Sequence, residues 1–86
     1  MKWKAKIEVT LKSGILDPQG VAVNKALEAM NYKNVSDVRV GKYLELKLES
    51  GSHSEAEQQI EQMCENFLTN PVIEDYSYRI VPMEDS

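Results

Sequence analysis

The first twelve residues alternate between apolar and polar side chains. The apolar positions after Met1 are Trp3, Ala5, Ile7, Val9 and Leu11, and charged residues or threonine separate them. A period of two places successive side chains on opposite faces of an extended chain. We therefore predict a half-buried first strand that ends at Ser13-Gly14.

A first helix is predicted directly after Asp17-Pro18. Aspartate is a common capping residue, and proline is preferred at the first helical position, where its missing N–H leaves no hydrogen bond unmade. The apolar residues that follow share one face of a helix, and they are Ala22, Val23, Ala26, Leu27 and Met30. This face predicts that the helix packs on a sheet.

A second helix is predicted from Ser54 to the Asn70-Pro71 pair. Its start, Ser54-Glu55-Ala56-Glu57, matches a capping box. Helical spacing then assigns a set of residues to the core, and they are Ala56, Ile60, Met63, Cys64, Phe67 and Leu68. The opposite face is rich in glutamate and glutamine, so we expect it to be solvated or to face a basic partner.

Residues 35–50 predict a β-hairpin. Two valines precede Gly41, and three leucines alternate with charged residues after it. A two-residue loop would put the valines and the leucines on opposite faces, whereas a three-residue loop pairs Val40 with Leu44. We therefore expect a turn formed by Gly41, Lys42 and Tyr43. The alternative is a sheet that an oligomer buries on both faces.

A last strand is predicted near the C-terminus. Tyr76, Tyr78 and Ile80 alternate there with Ser77, Arg79 and Val81. Residues 1–81 are expected to form a single domain, and residues 82–86 a flexible acidic tail. The element order is then βαββαβ. This order is typical of an α+β fold, ferredoxin-like or a variant of it, in which an antiparallel sheet carries two helices on one face.

Length and composition favour a small domain that gains stability from another chain. Eighty-six residues are fewer than the roughly 100 to 200 of a typical domain, and a core of this size is marginal without oligomerisation. One cysteine and one histidine exclude a disulfide scaffold and a Cys/His zinc site. No apolar run is long enough for a membrane span and no signal-peptide pattern opens the chain, so we expect a cytoplasmic protein.

The charge of the chain argues against nucleic acid and anionic membranes as partners. Ten basic and fourteen acidic residues give a formal charge of −4, and the sequence pI is near 4.9. The charge is unevenly distributed: residues 1–12 carry +3, residues 13–52 are neutral and residues 53–86 carry −7. Opposite ends of the chain are therefore expected to attract each other.

No residue pattern points to catalysis. The four glycines are scattered and form no phosphate-binding loop. Cys64 lies on an apolar helix face, where a thiol commonly behaves as a small hydrophobe, and His53 stands in a loop without an evident partner. We assign no catalytic, cofactor-binding or metal-binding residue. The minor alternative is an autonomous enzyme that uses His53 with Glu55 or Glu57.

Two polar loops carry residues that suit the docking of a partner. They are Asp17-Pro18-Gln19-Gly20 and the segment 37–43. Arg39 and Lys42 place two cations near a tight turn, which suits an acidic patch or a carboxylate on a partner. An equally strong interpretation is that both are ordinary surface charges beside a helix start and a hairpin.

Three segments carry motifs of a known family. They are LDPQGVAV at 16–23, VRVGKYLEL at 38–46 and MCENFLTNPVIEDY at 63–76. In this order and over nearly the whole chain, they resemble the PurS family, the small subunits of phosphoribosylformylglycinamidine synthase. The resemblance implies a non-catalytic subunit of de novo purine biosynthesis that assembles with the synthetase PurL and the glutaminase PurQ. It also implies a homodimer or higher homo-oligomer with shared sheets.

The resemblance has further implications for the complex and for this chain. The complex uses ATP, magnesium and glutamine, and this chain itself binds no cofactor. Ammonia released at the glutaminase is consumed at the synthetase, so the subunit bridges the two. A docking role is implied for residues within the matched motifs, namely Asp17, Gln19, Gly20, Arg39, Gly41, Lys42 and Tyr43. The alternative from a different class is a small-molecule-sensing ferredoxin-like dimer with a ligand at the Asp17 loop.

Overall fold

The computed structural model describes residues 1–83 and has the element order βαβαβ. Its strands are β1 (Lys2–Leu11), β2 (Lys42–Glu49) and β3 (Glu74–Pro82), and its helices are α1 (Pro18–Ala29) and α2 (His53–Met63). A π-helical turn, Cys64–Leu68, continues α2.

The C-terminal strand runs one residue further than the sequence predicts. Pro82 is the last residue of β3, and the N–H of Met83 donates to the carbonyl of Lys2 at 2.9 Å. The rest of the predicted flexible tail, residues 84–86, lies outside the described residues.

The strands form an antiparallel sheet with β1 in its centre. Ile7 of β1 pairs with Leu44 of β2 on one side and with Tyr78 of β3 on the other. Alternation places most apolar residues of the three strands on one face, and most of the charged residues on the other. The predicted α+β class with an antiparallel sheet is confirmed.

The predicted hairpin over residues 35–50 is wrong, so the described chain has three strands and not four. β2 begins at Lys42, and the segment before it forms neither a strand nor a turn at 41–43. The N–H of Val40 donates to the carboxylate of Asp17 at 2.8 Å. The two valines give only a short alternation, and a side chain takes the N–H that a strand would need.

The core lies between the sheet and α2. Its buried apolar residues are Trp3, Ala5, Ile7, Val9, Ala56, Ile60, Cys64 and Ile80. Ser52 caps α2 by accepting the N–H of Glu55 at 3.2 Å, and the Glu55 carboxylate accepts the N–H of Gly51 at 3.0 Å. The reciprocal cap therefore starts at Ser52 and not at the predicted Ser54. Cys64 is a core residue, as predicted.

One predicted core position is wrong. Phe67 is 85% exposed, whereas Leu68 packs against the core. A π-helical turn is wider than an α-helical turn, so it rotates the residues after Cys64 out of the α-helical register. Leu68 packs against the core as predicted, whereas Phe67 turns outward.

α1 leaves its apolar side uncovered within a single chain. Val23 is 42% exposed, Met30 is 65% exposed and Leu27 is only partly buried. The Cα radius of gyration is 16.8 Å, whereas a compact domain of this length has about 12 Å. Among residues 1–83, α2 covers the sheet as predicted and α1 does not. Part of β2 consequently stays half-buried, at Leu44, Leu46 and Leu48.

Candidate docking site

Asp17 joins the start of α1 to the segment before β2. Its Oδ1 accepts the N–H of Gly20 at 2.9 Å, and its Oδ2 accepts the N–H of Val40 at 2.8 Å. The Val40 bond and then the Gly20 bond lower the pKa of Asp17, and the positive charge of Arg39 acts in the same direction. The carboxylate therefore stays ionised and holds the two predicted docking loops together.

Two glycines allow these loops to pack closely. A Cβ atom on Gly20 would collide with the carbonyl of Val38 and with the Asp17 carboxylate. A Cβ atom on Gly41 would collide with the carbonyl of Val9, beside which β2 enters the sheet. Gly20 is buried, so it shapes the predicted docking loop and is not itself accessible to a partner.

A groove of about 420 Å³ at the end of the sheet contains much of the predicted docking site. Its lining includes four of the predicted docking residues, Asp17, Gln19, Gly41 and Lys42. Glu74 at the start of β3 and residues 9–11 at the end of β1 complete its walls. The groove presents an amide, an ammonium group and carboxylates beside apolar side chains. This mixture suits a segment of a partner protein.

The structure separates Arg39 and Tyr43 from this groove. Arg39 lines a second groove, of about 240 Å³, which shares Asp17 with the first. Tyr43 lies on the open face of the sheet, where its hydroxyl donates to Glu45 at 3.0 Å. Desolvation and then this bond raise the pKa of Tyr43. The predicted residues therefore belong to two adjoining grooves and one sheet face, and not to a single patch.

The hydrophobic pattern misses two surface features. It assigns the apolar side of α1 and the ring of Phe67 to the core, and the structure exposes both. No sequence signal marks the π-helical turn that carries Phe67 outward. The exposure of α1 depends on where the rest of the chain packs. The sequence of α1 does not determine that packing.

The cysteine and the histidine are engaged in packing. Cys64 is fully buried, and burial followed by the charges of Glu65 and Glu61 raises the pKa of its thiol. The ring of His53 meets Trp3 edge-on with 5.4 Å between the centroids. Within residues 1–83, no three metal-ligating side chains cluster. No helix in that range combines the length and the hydropathy that a membrane span requires.

Comparison with known proteins identifies relatives over almost the whole chain. A family model described as PurS, phosphoribosylformylglycinamidine (FGAM) synthase, matches residues 4–82. The phosphoribosylformylglycinamidine synthase subunit PurS of Bacillus subtilis is 49% identical over 78 residues, which cover 91% of this chain and 92% of that protein. The PurS subunit of Synechocystis is 44% identical over 82 residues, covering 95% of this chain and 82% of that protein.

Solved structures show the same fold. A structure of Bacillus subtilis PurS superimposes with a TM-score of 0.83 at 48% identity, over 93% of this chain and 99% of that one. A chain in the structure of PurLQS from Thermotoga maritima superimposes with a TM-score of 0.86 at 30% identity. That match covers 94% of this chain and 99% of the other.

Proposed function

This chain belongs to the PurS family, and we propose that it acts as the non-catalytic subunit that couples PurQ to PurL in phosphoribosylformylglycinamidine synthase. The observation that carries the proposal is its similarity, over nearly its full length, to a chain of a PurLQS complex. PurQ is the glutaminase and PurL the synthetase of this step in purine biosynthesis. ATP, magnesium and glutamine are then bound by the partners, and the complex works in the cytoplasm.

A coupling subunit serves this reaction because ammonia has to pass from the glutaminase to the synthetase without escaping into solvent. A protein that binds both enzymes raises the effective concentration of one active site near the other through geometry. Exclusion of water at the joint also prevents loss of a reactive intermediate. Docking surfaces on this chain provide the geometry, and the bond chemistry takes place on the partners.

We infer that a partner docks at the end of the sheet where α1 begins. The groove there supplies Asp17, Gln19, Gly41 and Lys42 as docking residues, and buried Gly20 shapes the loop. Arg39 in the adjoining groove and Tyr43 on the open sheet face extend the proposed docking area. The hydrogen bonds of Asp17 hold the region in one shape before a partner arrives, which lowers the entropy cost of association. Lys42 is exposed at the groove and suits a carboxylate of the partner.

We also infer that the working form is a homodimer or a higher homo-oligomer. α1 exposes an apolar side, and the leucines of β2 stay partly uncovered. Each chain therefore has two partly exposed apolar surfaces, the side of α1 and the leucines of β2, that another copy can bury. A small domain with a core on one side of its sheet gains the missing burial from a second copy.

The experiment measures formation of the formylglycinamidine product by purified PurL and PurQ, with and without this chain. Glutamine and ammonium chloride are compared as nitrogen sources, and heat-denatured chain is the control. We expect the glutamine-dependent rate to require the folded chain, because only that rate depends on transfer between active sites. The ammonium-dependent rate should change little.

A different outcome would contradict the proposal. If neither rate responds to the chain, it is not a coupling subunit. A rise in the melting temperature of the isolated chain with a small metabolite would then favour the small-molecule sensor.

A further inference from the structure

A buried side chain secures the irregular end of α2. In the π-helical turn, the carbonyl of Cys64 accepts the N–H of Thr69 at 3.1 Å and the hydroxyl of Thr69 at 2.7 Å. The hydroxyl bond is buried. Wide turns of this kind occur at the C-terminal ends of helices, and π-helical geometry is also frequent at functional sites. A dedicated hydrogen bond thus stabilises a departure from α-helical geometry at this point.

The consequence of this turn is an aromatic ring that faces solvent. Phe67, the one phenylalanine of the sequence, is 85% exposed, and Val72 in the following turn is 78% exposed. Scattered apolar residues are normal on protein surfaces. Here the exposure of Phe67 follows from a hydrogen-bonded turn. The backbone at Val72 is also held, because its N–H donates to the Oδ1 of Asn70 at 3.1 Å. Ordered backbone therefore presents both side chains.

The segment that carries Phe67 is acidic. The sequence from 54 to 78 contains six carboxylates and no lysine, arginine or histidine. Two of these carboxylates are held in place, because Tyr76 donates to Glu65 at 3.0 Å and Tyr78 donates to Glu61 at 2.6 Å. An apolar anchor with an acidic frame is complementary to an apolar pocket with a basic rim.

Charge argues against a symmetric contact in which this surface meets the same surface of a second copy. Two copies that met through it would bring the glutamates of α2 face to face, and each copy carries a formal charge of −4. The position of the surface favours a partner that also uses the docking groove. Glu74 lines that groove and follows Val72 by two residues, and the N–H of Lys12 donates to the carbonyl of Ile73 at 2.8 Å.

We propose that Phe67 and Val72 form the apolar anchor of a docking surface for a different protein, one that presents an apolar pocket rimmed by lysine and arginine. The proposal rests on the proposed function and deepens it, since it assigns this pocket to one of the two enzymes that the chain couples. The ring of Phe67 enters the pocket, and the glutamates of α2 meet the basic rim. The acidic side of α2 is then an interface.

The test compares the full chain with Phe67→Ser in binding to PurL and to PurQ, separately and together, by titration calorimetry. Aromatic anchors dominate interfaces, so we expect roughly 30-fold or weaker binding to one enzyme. The melting temperature should stay within about 3 °C, because the side chain is exposed. Gln62 on the acidic side provides a matched pair: Gln62→Lys should weaken the same binding, and Gln62→Glu should preserve or strengthen it.

Each other outcome overturns the proposal in a distinguishable way. If the full chain and Phe67→Ser assemble equally well, the anchor is wrong and the coupling function stands. If Phe67→Ser changes the sedimentation of the isolated chain while binding to both enzymes is kept, a second copy covers Phe67. If the full chain binds neither enzyme and changes no rate, the anchor and the proposed function fail together.

Discussion

Asp17 shows how a single side chain shapes the proposed docking region. Both of its carboxylate oxygens accept backbone N–H groups, so the polar side chains that the groove offers to the proposed partner are chiefly Gln19, Lys42 and Glu74. Because the pKa of Asp17 is lowered in the folded chain, its contribution to stability is present above the ordinary aspartate pKa. The contribution is lost as the pH falls through the lowered value. At neutral pH, Asp17 is ionised and accepts both backbone hydrogen bonds.

Lys42→Glu tests the groove at the residue scale. Lys42 and Lys47 are both exposed on β2, but an odd spacing puts them on opposite faces of the sheet. The two replacements change the net charge equally. Only a partner that contacts the groove would therefore respond differently to them. We expect Lys42→Glu to weaken assembly with PurL and PurQ roughly tenfold or more and Lys47→Glu to change it less than about twofold.

Sedimentation of the mixed subunits measures both variants. Melting curves control for folding, since exposed substitutions change stability by less than about 0.5 kcal/mol. Equal weakening by the two replacements would mean that overall charge, and not the groove, governs assembly.

Among the elements, α2 is attached to β3 by two tyrosines as well as by the core. Tyr78 and Tyr76 lie on alternate positions of β3 and donate to Glu61 and Glu65, one helical turn apart. Their rings are stacked with 6.5 Å between centroids. Desolvation and then the bond to Glu65 raise the pKa of Tyr76 to about 12, and the pKa of Tyr78 is raised by the same kinds of cause.

These tyrosines predict a loss of stability at alkaline pH. A folded-state pKa above the unfolded value means that the contribution is complete below about pH 10 and is lost as the pH rises toward 12. Tyr78→Phe removes one hydroxyl and its bond, so we expect it to cost about 1 kcal/mol at neutral pH. It should also make the free energy of unfolding fall less steeply between about pH 10 and pH 12.

Urea denaturation between neutral pH and about pH 11 measures this, with Tyr32→Phe as the control, because Tyr32 is exposed beyond α1. A Tyr78→Phe curve parallel to that of the unmodified chain would show that the hydroxyl does not hold α2 on the sheet.

For the whole molecule, the extended shape is the feature that a single chain does not explain. α1 stands away from a sheet whose leucines on β2 are partly uncovered. Apolar area of this kind costs free energy in water, about 25 cal/mol per Å². Burial of both surfaces between copies removes that cost, which is why self-association is part of the proposed function.

Val23→Lys tests self-association through α1. The substitution places a charge on the apolar side, so we expect it to shift the chain toward monomer and to lower its melting temperature. Glu28→Lys, also on α1 and exposed, is the control and should leave the oligomer intact. Sedimentation velocity at several concentrations measures both. A chain that is monomeric at every concentration without any substitution would contradict the prediction.

Local sequence signals were sufficient for much of this protein. Alternation located β1 and β3, a capping aspartate with proline located the start of α1, and helical spacing located α2 and the burial of Cys64. The three family motifs identified the family that the comparisons show. These features depend on residues close together in the chain, whose spacing expresses the geometry of a strand or a helix directly.

The structure decided the rest. Some of these features depend on partners far away in the sequence, and the turn at the end of α2 depends on a local bond that no sequence pattern marks. The N–H of Val40 bonds to a carboxylate 23 residues earlier, which replaced a predicted strand. A hydroxyl of Thr69 stabilises a π-helical turn, which moved Phe67 from the predicted core to the surface. The placement of α1 likewise separates its apolar side from the leucines of β2. Periodicity records which side of an element is apolar, and only packing determines what, if anything, covers that side.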